Sequence, residues 1–188
     1  MKKILVAFAL AAVASTASAT IAGSSHDLTT KAGATLGSCQ YCHAPHLWTV
    51  SNLGTGIAPL WNKNQTAALT AYTSATLKGV ATPGMISRAC LSCHDGASDL
   101  GAVVNGIVGN IGAIAAVANI GTDLTNDHPV GRPEPAGDAT FVQTPAAPIA
   151  LFAGNVECAS CHEPHGAYGQ PKFLRVAITG LCAACHTK

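Results

Sequence analysis

Charged side chains are scarce in this 188-residue chain, at 10%, and aromatic ones scarcer still, at 5%. Lys and Arg number 10 against 9 Asp and Glu, and nothing in their distribution forms the basic stripe that phosphate binding needs, which argues against nucleic acid as a partner. Four Phe, two Trp and three Tyr stand against 19 Gly and an abundance of Ala. Side chains of this kind cannot by themselves fill the interior of a domain of this length. Something else must occupy it, and the cysteines indicate what.

The chain opens with Met1, Lys2 and Lys3, then an apolar run from Ile4 to Val13 and small residues ending in Ala17-Ser18-Ala19. This order reads as a secretory signal peptide, 1–19, with cleavage after Ala19. The run is too short for a membrane anchor, and Thr20 stands where a lipid-accepting Cys would be needed. Loss of Lys2 and Lys3 leaves 8 basic side chains against 9 acidic ones.

All eight cysteines fall in C-x-x-C-H pentapeptides: Cys39-Gln-Tyr-Cys42-His43, Cys90-Leu-Ser-Cys93-His94, Cys158-Ala-Ser-Cys161-His162 and Cys182-Ala-Ala-Cys185-His186. Two intervening residues make about one turn, so both sulfurs point to one side and can form thioethers with the two vinyl groups of a haem. The following His is then set beneath the iron as its proximal ligand. Four disulfides, two zinc sites of four cysteines each, or redox-active dithiols would use the same cysteines. None of them explains a His after every second Cys. The expected cofactors are four covalent haem c groups, which would bring the net charge to about −5 oxidised and about −9 reduced if every propionate is ionised.

Four of the eight histidines are thereby used as His43, His94, His162 and His186, leaving His26, His46, His128 and His165 as one spare for each iron. Bis-histidine ligation throughout is the simplest assignment, with Met85 the alternative ligand at one site. His46 and His165 stand three residues past a proximal His, too near to reach the far face of the same porphyrin. Each should serve a neighbouring haem. Order and economy then give His26 with His43, His46 with His94, His128 with His162 and His165 with His186.

The pattern repeats, giving a first dihaem unit at 20–120 and a second at 121–188 within one tetrahaem domain. The expected fold is that of a multihaem cytochrome c, mostly loop and coil, with short helices at the attachment motifs and a core of stacked haems. Ser87 and Asn155 are candidate helix caps, and 64–77 has an ambiguous helical pattern interrupted by Thr70, Thr73 and Thr76. Leu100–Gly121 is 22 residues without a charge, but its five Gly and three Asn argue against a membrane span. A buried or subunit-interface role, with β structure, fits it better.

His26-Asp-Leu, Cys39-Gln-Tyr-Cys-His-Ala-Pro-His46, Pro59-Leu-Trp-Asn62, Cys90-Leu-Ser-Cys-His-Asp-Gly96, Asp127-His-Pro-Val130, Cys158-Ala-Ser-Cys-His-Glu-Pro-His165 and Phe173-Leu-Arg175 together resemble the doubled C-x-x-C-H multihaem cytochromes. Size, four haems and lack of an anchor are similar to those of extracellular tetrahaem cytochromes that polymerise into conductive filaments. That resemblance implies a homopolymer with end-to-end haem stacking, redox proteins or extracellular acceptors as further partners, and one axial His donated by the adjacent subunit, with His26 or His128 as candidate donors. It implies an extracellular or cell-surface location, with a soluble periplasmic electron shuttle as the alternative. A multihaem reductase would need an open iron position, and eight histidines for four irons leave none. The reading is an electron carrier rather than an enzyme.

Overall fold

The computed structural model describes residues 20–44, 60–64, 67–77, 79, 81–104, 106–107 and 109–187; the apolar leader and His46 lie outside them. Regular structure is sparse. Helix α1 (Met85–His94) is followed by strands β1 (Ala102–Val103) and β2 (Gly106–Ile107), an antiparallel ribbon, and later by β3 (Arg132–Pro133), which pairs antiparallel with β4 (Asn155–Val156). Helices α2 (Cys158–Cys161) and α3 (Ile178–Leu181) are single turns, and α3 runs straight into a 3-10 turn at Cys182–Ala184. Most of the remaining described chain is turn and coil, as its Gly and Pro content predicts.

Helix α1 starts after Pro83, with extended Gly84 as its N-cap. Ser87, a candidate cap by sequence, instead lies inside the first turn, fully buried, and donates its hydroxyl to the Glu157 carboxylate. The helix ends at Asp95, whose carboxylate accepts the amides of Ala97 (3.0 Å) and Ser98 (2.8 Å) and the Ser98 hydroxyl (2.8 Å), turning the chain away through Gly96. At α2 the cap is Glu157 rather than Asn155: its carboxylate accepts the Ser160 amide, while the Ser160 hydroxyl accepts the Glu157 amide at 2.9 Å. Asn155 is spent on β4.

Leu91 on the inner face of α1 packs with Tyr72, Ala81, Leu124 and Val130, flanked by Leu69, Leu77 and Cys158. Five buried residues make a small core, and α1 and α2 pack directly on each other beside it. The described part of 64–77 contains no helix; Thr70 pairs with Asp123 instead. Within 100–121, Leu100 is buried, β1 and β2 form their short ribbon, and Val117 is 97% exposed. No described helix is long and apolar enough to cross a membrane.

Two glycines allow backbones to meet. A Cβ on Gly109 (φ +89°) would lie 1.9 Å from the Gly33 carbonyl oxygen, and one on Gly131 (φ +79°) 1.7 Å from that of Thr82. The second contact fixes the entry to β3, where the Gly131 amide donates to the Val156 carbonyl at 2.7 Å.

Candidate functional site

All four C-x-x-C-H segments adopt one local geometry. At the first, third and fourth, the histidine amide donates to the carbonyl of the first cysteine, at 2.8 Å for His43, 3.0 Å for His162 and 2.9 Å for His186. The second is the last turn of α1. Each segment is thus a helical turn. No disulfide joins any two of the eight cysteines in the structure.

The thiols also fall into an order in space. Burial pushes Cys42 up to about 12, with Cys93 of the second motif adding to the shift. Cys90 and Cys158 are in hydrogen-bond contact, which raises Cys90 further than burial alone. Burial raises Cys161 too, assisted by Cys158 and by Cys182 of the fourth motif, and it raises Cys185 to about 11, assisted by Glu134 and by Cys161. First motif meets second, second meets third, and third meets fourth. The hydrogen bond between Cys90 and Cys158 lowers Cys158, against the effect of its burial.

The histidines form three facing pairs, each with ring centroids 6.2 Å apart: His26 with His94 at an interplanar angle of 70°, His43 with His165 at 12°, and His128 with His186 at 78°. Every pair joins one C-x-x-C-H histidine to one spare. Nδ1 of His26, His94 and His162 faces the carbonyl of Pro164 (3.2 Å), Ala118 (2.8 Å) and Lys172 (2.9 Å) respectively, and Nδ1 of His165 faces the Glu163 carboxylate (2.7 Å). These acceptors place the proton on Nδ1 and leave the Nε2 lone pair for a metal.

The ring pairs differ from those drawn by sequence order: His26 lies against His94 rather than His43, His165 against His43 rather than His186, and His128 against His186 rather than His162. The cause is the docking of the N-terminal segment on the second half. Thr20 donates its amide to the His165 carbonyl at 2.8 Å, His26 meets Pro164, and the His26 ring stacks on Phe173 at 4.4 Å and 9°. Residues 20–26 and 163–173 therefore come together, and each carries its histidine to a ring in the first half. His26 and His128, the candidate donors to an adjacent subunit, each lie 6.2 Å from a ring of their own chain. His162 faces no other ring among the described residues, and the spare that remains by count, His46, lies outside them. Met85, the alternative ligand, opens α1 and is 44% exposed.

Two buried side chains sit at the motif junctions without having been marked by any spacing rule. Glu157 joins the second motif to the third through Ser87, whose hydroxyl accepts the Cys158 amide at 2.9 Å. Lys63 lies between the first and second motifs, 1% exposed.

Two imidazoles holding one iron between them, with a metal–nitrogen bond of about 2 Å on each side, would have centroids about 6 Å apart, so the three ring pairs have the separation that haem-iron ligands would need. Among the described residues no group of three or more His, Cys, Asp or Glu gathers as a metal site; pairs of opposed imidazoles suit an ion whose remaining ligands come from a macrocycle. The family model for the doubled CXXCH motif matches residues 150–188, the third and fourth motifs. No curated protein matches the chain. The motif match indicates covalently bound c-type haem and haem-based electron transfer.

Proposed function

We propose that the chain is an exported electron conduit holding four haem c groups, and that it assembles with copies of itself into an extracellular cytochrome filament. The sites are Cys39 and Cys42 with His43 and His165; Cys90 and Cys93 with His94 and His26; Cys158 and Cys161 with His162 and His46; and Cys182 and Cys185 with His186 and His128. The haems, stacked in chain order, supply the interior that the side chains do not. The observation that carries this reading is the set of three histidine pairs at a single separation of 6.2 Å.

Each bound haem supplies a one-electron couple. The paired histidines would hold the irons and leave a substrate no place to bind there, and their Nδ1 atoms are oriented by carbonyl and carboxylate acceptors. Two nitrogen ligands and no Met place the couples at low potential. Consecutive motifs lie side by side through Cys42 and Cys93, Cys90 and Cys158, and Cys161 and Cys182, so electrons pass from first to fourth in sequence order. In a filament, one axial ligand, His26 or His128, comes from the adjacent copy, and redox proteins or extracellular acceptors meet the two ends.

Electron microscopy of native, haem-loaded protein sheared from the producing cells tests the assembly. Thin, regular filaments with an unbroken haem chain would support it. Discrete monomers with four low-spin haems would exclude the filament and leave a soluble periplasmic shuttle.

A further inference from the structure

Lys63 is 1% exposed, among the most buried side chains of the described fold. Long cationic side chains ordinarily keep their nitrogen in water. Here Nζ turns inward to the chain following the second motif and is held by the carbonyls of Ala102 (2.6 Å), Leu100 (2.8 Å) and Asp99 (3.5 Å). Three carbonyl acceptors match the three N–H bonds of an ammonium.

The segment carrying it is wedged between two attachment motifs. The amide of Asn62 donates to the Cys42 carbonyl at 2.9 Å, and its side chain donates to the Gln40 carbonyl at 2.7 Å. Trp61 forms a backbone bridge with His43, and its indole N–H donates to the Ser92 hydroxyl, inside the second motif, at 3.3 Å. The ammonium is thereby carried on a segment bonded to both motifs.

We infer that Lys63 is a fixed cation built into the junction of the first two haem sites, where it stabilises the reduced state of both and makes them the preferred resting place for electrons. A site that accepts an electron becomes one unit more negative. A buried positive charge beside it is screened little by solvent or salt, so the effect is local and persistent. Asp95 and Asp99 lie on the same side, but the Asp95 carboxylate is engaged by Ala97 and Ser98 and that of Asp99 by the amides of Gly101 (2.6 Å) and Gly112 (2.9 Å). Among the described residues, the third and fourth sites have no fully buried cation of this kind; the buried charged side chain at the next junction is Glu157.

This inference rests on the four-haem reading, so the haem count of the wild-type protein is taken first. A count other than four refutes that reading. With four haems present, spectroelectrochemical titration of the full-length protein is compared for wild type, Lys63→Gln and Lys63→Arg. Steps are assigned by deleting the first haem (Cys39→Ala with Cys42→Ala) or the fourth (Cys182→Ala with Cys185→Ala). Lys63→Gln should shift the first two haems at least tenfold toward the oxidised form, a fall of 59 mV for one electron, with smaller shifts at the others. Lys63→Arg should restore both. A shift equal at all four haems, an upward shift, or none overturns the inference. Should Lys63→Gln fail to load four haems, Lys63→Met decides by removing the charge while keeping the length of the side chain. A fall confined to the same two haems supports the cation's role, and unchanged potentials overturn it.

Discussion

Replacing His165 by Ala puts the cross-half ligation to the test. The His43 and His165 rings lie 6.2 Å apart and nearly parallel, at 12°, so removing one empties a single axial position while leaving His43 and both thioethers of that site in place. One haem in four then loses its sixth ligand. About a quarter of the iron should become high-spin, and the reduced protein should bind one carbon monoxide per chain where the wild type binds none. The other two pairs are set at 70° and 78°, so the low-spin paramagnetic resonance signal that disappears should be the one characteristic of near-parallel imidazoles. Repeating the substitution in a Cys39→Ala, Cys42→Ala background should open no further site, because the affected haem is already gone. If that background still gains a carbon monoxide site, His165 serves another haem and the geometric argument is wrong. If neither chain gains one, His165 is not a ligand.

Gly131→Ala places a Cβ 1.7 Å from the Thr82 carbonyl oxygen at a φ of +79°, and should cost about 2 kcal/mol or more by displacing the entry to β3. Thermal unfolding of the haem-loaded protein checks this, and an unchanged midpoint would contradict the described contact. Leu124, 1% exposed in the cluster around Leu91, should cost about 2 to 5 kcal/mol as Leu124→Ala; denaturant titration giving less than about 1 kcal/mol would mean that haem contacts rather than this cluster hold the region. Ser87→Ala and Glu157→Ala remove the two ends of one buried hydrogen bond. A double-mutant cycle should return a coupling of about 1 kcal/mol or more, whereas additive effects would show that the α1–α2 junction does not depend on it.

The attachment sites were legible because their chemistry is local. Two sulfurs one turn apart and an adjacent imidazole need only a pentapeptide, and the same hydrogen bond from the histidine amide closes three of the four turns. The scarcity of regular structure was legible for a similar reason, since Gly and Pro punctuate the chain at short intervals. Which histidine rings lie against one another was not, because it depends on how the chain returns. Counting from His26 gives no hint that residues 20–26 dock on Pro164 and Phe173 and so face His94. The capping residues were misplaced on the same grounds: Ser87 and Asn155 have capping chemistry, but a tertiary hydrogen bond claims the first and a β pairing the second. Lys63 left no local signal at all. A single lysine in a loop reads as solvated, and only the convergence of the Asp99, Leu100 and Ala102 carbonyls accounts for its burial.

The most direct test of the account is to locate the irons by anomalous scattering from crystals of the haem-loaded protein. The account predicts four, spaced in motif order, with one between His43 and His165, one between His26 and His94, one between His128 and His186, and the last bound by His162. A different count, or irons flanked by the histidine pairs that sequence order alone suggests, would contradict it.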